Sequence, residues 1–176
     1  MAAVSLAAAV VVFPAAVAVL AEVAREENGD LMKFISHPLN IDHARIVAAI
    51  AAAELHTSGE IRVLVARHGA NDPVAAAQKH FERLGMTRTR HRNGVLIFLA
   101  PSSRTFAIVG DVGVHEKCGD EFWREVSGTM AGHFQRGDFT GGTLHGIERA
   151  GKLLSLHFPR VADDPDELSN HVEEDE

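Results

Sequence analysis

The clearest signal along the chain is a change of hydrophobic period. "NIDHARIVAAIAAAELHT" puts Ile46, Val47, Ile50 and Ala51 on one helical stripe behind a cap at Asn40 or Asp42. The next stretch, "TSGEIRVLVAR", switches period: Gly59 stops the helix, Ile61, Val63 and Val65 alternate, and Leu64 and Ala66 are apolar on the other face. Apolar residues on both faces predict an interior strand. Helical spacing returns in "NDPVAAAQKHFERLG", which has Asp72 as cap, Pro73 in the first position, a stripe of Ala77, Phe81 and Leu84, and Gly85 as the stop. "NGVLIFLAP" is an unbroken apolar run behind an Asn-Gly turn and takes the centre of the sheet. "PSSR" folds it back into "TFAIVGD", its antiparallel partner in a hairpin. Two helices follow, one after Gly119 with Phe122, Trp123, Val126, Met130 and Phe134 inward, and one after Thr140 with Leu144, Ile147, Leu154 and Phe158 inward. The order predicts an α/β fold: a three-layer α/β/α sandwich with a small mixed sheet of at least three strands containing a β-hairpin.

Length changes this picture little, since 176 residues hold one ordinary domain with appendages. The core domain is placed at residues 40–160, between an apolar segment at 1–31 and an acidic tail at 161–176. Residues 2–21 are twenty uncharged positions in a row, the span of a bilayer core. Against this stand the many alanines, Pro14 in the middle, and no Lys or Arg ahead of the stretch. Three readings stay open: a membrane anchor, an export signal, or a misassigned start upstream of Met32, where "MKFISHPL" reads like the beginning of a soluble domain. Membrane association follows from the first, a cytoplasmic protein from the last.

The formal charge of −7 is uneven along the chain. Residues 163–176 carry eight acids and no Lys or Arg, which leaves 16 acids against 17 bases elsewhere. The tail is expected to be disordered and needs no partner. A neutral body without tyrosine argues against nucleic acid, even with the basic run "RTRHR" at 88–92. A single cysteine, Cys118, excludes an intrachain disulfide and any multi-cysteine zinc cluster. The chain holds no GxxxxGK[ST], GxGxxG or GxSxG, and "HEKCG" lacks the second histidine of a zinc-protease helix. His43, His80, His133, His145 and His157 fall on predicted helices without a regular partner.

"TSGEIRVLV", "NGVLIFLA", "IVGDVGVHEKCGD" and "HFQRGDFTGGTLHGIERAGKLL", in that order and spacing, resemble the TPM domain, a family named after a thylakoid lumen protein, a photosystem repair factor and a receptor modulator. Short bacterial members with an acidic tail are the nearest in appearance. The resemblance implies an α/β/α sandwich, a calcium or magnesium site at one end of the sheet, and a suggested phosphatase activity. It also implies acidic residues at two positions where this chain departs. Members typically read Asp-Asn-Gly before the central strand, whereas this chain has Arg92-Asn93-Gly94. They read Gly-Leu-Glu after the next strand, whereas this chain has Gly113-Val114-His115, with Asp120 in the position of a following aspartate. Hard cations want six to eight oxygens. Arg92 and His115 remove two acidic donors, and an imidazole suits zinc or another transition metal better.

The candidate metal ligands are therefore Asp120, His115, Glu116, Asp111 and Asn93, gathered at the turn where open α/β folds bind ligands. The plain alternative makes Asp120 a helix cap. His115 and Glu116 can share one ion only if that turn is irregular. Glu60 reads as an interior-edge carboxylate with a hydrogen-bond partner. With no nucleophile motif, a phosphatase would need a metal-activated water. Two expectations result: a divalent-metal-binding domain with weak phosphomonoesterase activity, or a non-enzymatic module supporting a protein complex at a membrane.

Overall fold

The computed structural model describes residues 41–160 and 171–174. The apolar run at 2–21 lies outside the described residues, among which no helix is long and apolar enough to cross a membrane. Helix α1 spans His43–Glu54, capped by the Asp42 carboxylate, which accepts from the Arg45 N–H at 3.0 Å. Strand β1 is Glu60–Val65. Helix α2 is Pro73–Arg83, where one Asp72 oxygen accepts from both Val74 and Ala75 N–H. Strands β2, Gly94–Ala100, and β3, Thr105–Gly110, form the hairpin. Helix α3 runs Val112–Gln135, α4 runs Phe139–His157, and a two-residue β4, Glu173–Glu174, closes the order.

The sheet order is β3-β2-β1-β4, with β2 antiparallel to β3 and parallel to β1. Every residue of β2 is buried, as its unbroken apolar run requires. One face of the sheet meets α1, α3 and α4 through Ile46, Ile50, Trp123, Met130, Ile147 and Leu154. Among the described residues, the other meets α2 through Ala77 and Phe81, with Met86 from the turn that follows. The mixed sheet and the three layers are thus as expected. Glu173–Glu174, inside the tail expected to be disordered, instead add a fourth strand parallel to β1 at Leu64 and Val65.

A second difference lies after the hairpin. The sequence predicts a helix that opens after Gly119; that piece is present, and a further helical piece from Val112 precedes it. Asp111, at the end of β3, caps the earlier start by accepting from the Val112 N–H at 2.8 Å. Gly119 then interrupts the element with φ +66°, a left-handed conformation that glycine adopts at little cost. The glycine separates two helical pieces, and the second opens directly after it as expected.

Phe81 is fully buried as the only large aromatic of α2, whereas Leu156 on α4 is 74% exposed. We expect Phe81→Ala to cost about 3–5 kcal/mol and Leu156→Ala to stay within about 0.5 kcal/mol. Urea unfolding followed by Trp123 fluorescence measures both.

Candidate functional site

The hairpin register decides which residues meet at this end of the sheet. Val95 pairs with Gly110, so the residues before β2 and after β3 emerge side by side. The Asp111 N–H donates to the Gly94 carbonyl at 2.9 Å, and the Gly113 N–H to the Arg92 carbonyl at 3.0 Å. A β-carbon on Gly113 would stand 2.5 Å from the His91 carbonyl oxygen. Only a residue without a side chain lets the start of α3 lie so close to that loop.

Arg92 takes a left-handed backbone with φ 52°, which turns its side chain across to the start of α3. Its Nε donates to Asp111 Oδ2 and its Nη2 to Asp111 Oδ1, each at 2.8 Å. The carboxylate is wholly buried, while the Arg92 side chain keeps 31% of its surface in water. The hydrogen bond to Asp111 raises the Arg92 pKa against the opposing effect of burial. With the Val112 N–H on Oδ1 as well, Asp111 is held by three donors.

Asn93 is also committed. Its Nδ2 donates to the Ser58 carbonyl at 3.1 Å and lies 3.3 Å from Ser58 Oγ, tying β2 to the approach of β1. Its Oδ1 is buried without a hydrogen-bond partner. His115 Nε2 lies 3.7 Å from Asp120 Oδ1, and Asp120 lies equally far from Arg124. His115 Nδ1 is buried and unpartnered. Glu116 is exposed on the same regular helix, one position from His115, so the irregular turn that would bring both to one ion is not formed.

The five residues therefore do not converge. His115 and Asp120 come together, Asp111 is taken by Arg92, Asn93 braces the strands, and Glu116 faces solvent. Among the described residues no three His, Cys, Asp or Glu side chains are grouped to hold an ion. The donors do not fit calcium or magnesium: the one buried carboxylate already carries a cationic partner, and a hard ion would meet a guanidinium at close range. Burial pushes the Cys118 thiol up to about 11, so it is protonated at neutral pH and no activated nucleophile. Glu60 is buried and not without a partner. Sequence reasoning counted Arg92 as a lost ligand and missed it as the partner of Asp111. The hairpin symmetry was the available signal, because it places the two residues flanking the paired strands next to each other.

A family model for the TPM domain matches residues 38–153. The NMR structure of the BA42 protein from the psychrophilic bacterium Bizionia argentinensis is 39% identical, covers 76% of this chain and 92% of that one, and superposes with a TM-score of 0.70. The N-terminal domain of the cg2496 protein from Corynebacterium glutamicum is 18% identical over 62% of this chain and 67% of that one, with a TM-score of 0.44, a level from which nothing follows. Among curated proteins none matches.

Removing Arg92 strands a buried charge. We expect Arg92→Ala to cost roughly 2–3 kcal/mol, below the usual range for a buried pair because the guanidinium is partly in water. Arg92→Lys should recover only part of the loss, since an ammonium cannot make the two-pronged contact. Chemical denaturation of the three proteins at pH 7 is the measurement.

Proposed function

The chain belongs to the TPM domain family, and on that premise we propose that it works as a non-enzymatic assembly module in which the Arg92 guanidinium serves where a divalent cation would otherwise neutralise the sheet rim. The observation that carries this reading is the bidentate Arg92–Asp111 pair. A cation built into the chain gives the rim its charge balance at any metal concentration, and it offers no exchangeable water. Phosphomonoester hydrolysis needs either a nucleophile or a metal-activated water. Cys118 is held protonated and Asp111 is already bound, so the rim residues favour neither route. Retained as an anchor, residues 2–21 would place the module at a membrane; a start at Met32 would leave it cytoplasmic.

One observation favours a second reading. The His115 imidazole has a buried, unpartnered Nδ1 and faces Asp120 with its Nε2. An imidazole beside a carboxylate is a partial site for zinc or a similar ion.

The test compares melting temperatures in chelator, calcium, magnesium and zinc, since a ligand that binds only the folded state must raise the midpoint. We expect calcium and magnesium to leave wild type unmoved and a generic phosphomonoester to stay intact with every metal. Arg92→Asp should be destabilised in chelator and recover in calcium. A calcium shift or metal-dependent turnover in wild type would overturn the reading. A shift with zinc alone, lost in His115→Ala, would establish the second.

A further inference from the structure

Strand β1 has the composition of an interior strand but sits one place from the sheet edge. Its burial is complete from Glu60 to Leu64. Among the described residues, only Glu173 and Glu174 pair with its outer side, at Leu64 and Val65. Two side chains on and just beyond β1 receive these acids. Arg62, with 6% of its side chain exposed, donates through Nη1 to Glu173 Oε1 at 3.1 Å. Arg67 donates to Glu174 at 3.3 Å in the open. Val172, just before them, packs on the core that α1, α3 and α4 build on the sheet. The edge thus reads three consecutive residues: an apolar one against the core, then two carboxylates against two arginines.

We propose that the outer edge of β1 is a strand-addition site for an extended peptide of a partner protein with an apolar-acidic-acidic sequence, and that residues 172–174 of the chain's own tail guard it. Strand addition draws affinity from main-chain hydrogen bonds and selectivity from alternate side chains. Both are laid out here. The buried Arg62 keeps its Nε without a hydrogen-bond partner, so it holds a donor in reserve that the single contact to Glu173 does not use. A carboxylate seated side-on across the guanidinium would engage Nε and Nη2 together. The guard is short: among the described residues two are paired, one ion pair joins the buried Arg62 to a partly exposed Glu173, and the other, with about half of each side chain in water, adds little. An edge left open is a liability for pairing with other chains, and a short acidic strand that a better-matched segment can displace covers it meanwhile.

This inference rests on the reading of the domain as an assembly module, but its readout is peptide affinity at the β1 edge. Its failure leaves the metal response of Arg92 variants as it was, and a calcium response in wild type leaves the peptide result as it was. The experiment uses the full-length chain. A labelled peptide of residues 168–176 is titrated into wild type and into Glu173→Lys/Glu174→Lys, whose tail Arg62 and Arg67 repel. A guard seated nine-tenths of the time weakens a competitor about tenfold, so we expect the double variant to bind the peptide about ten times more tightly than wild type. Adding Arg62→Gln, or Arg67→Gln where the first does not fold, should remove most of that gain. A peptide with both glutamates replaced by glutamine should bind weakly to all. Equal affinity of wild type and double variant, or binding indifferent to the arginines and to peptide charge, overturns the proposal. So does a double variant that sediments as a dimer, because the edge would then serve a second copy of the chain.

Discussion

A carboxylate with none of its surface in water must be neutralised where it stands, and at Asp111 this requirement organises one whole end of the fold. The residue finishes β3, caps α3 and meets Arg92 from the loop before β2. Three elements are therefore fixed by one charge. The left-handed backbone of Arg92 and the bare Gly113 follow from the same need, since the guanidinium has to turn inward while the helix start lies on its loop. A chain with an acid at position 92 would face the opposite problem, two carboxylates at close range, and would require a cation from solvent to fold the same rim.

Much of the layer structure was legible because each element carries its own local instruction. Asp72 and Pro73 open a helix without help from the rest of the chain, and the apolar run of β2 has nowhere to go but the middle. The site was less legible. "GDVGVHEKCGD" carries three glycines and several polar residues, which on local grounds read as a turn, yet a cap from Asp111 and the docking of Gly113 on the neighbouring loop make its middle helical. Tertiary contact overrode propensity there. Ligands inferred along one stretch of sequence were split by that helix, with His115 turned inward and Glu116 outward.

The acidic tail shows the same limit from the other side. Two glutamates have poor strand propensity, and composition alone assigns them to solvent. What places them is the arginine pair on and beside β1, residues more than a hundred positions earlier. The apolar character of both faces of β1 announced the helical layers that cover them and left open which strand lies along its outer edge. Mixed sheets hide such pairings well, since a parallel neighbour arrives without the tight turn that betrays a hairpin.

Beyond its own stretch of helix, Gly119 has no described atom within 4 Å of where a side chain would begin, so the demand at that position is torsional. The short piece from Val112 to Cys118 is clamped to the rim, while the longer piece from Asp120 lies along the sheet with its Trp123 in the core. The backbone angles of this one residue therefore set the direction in which the longer piece leaves the rim, and His115 and Asp120 face each other across the bend.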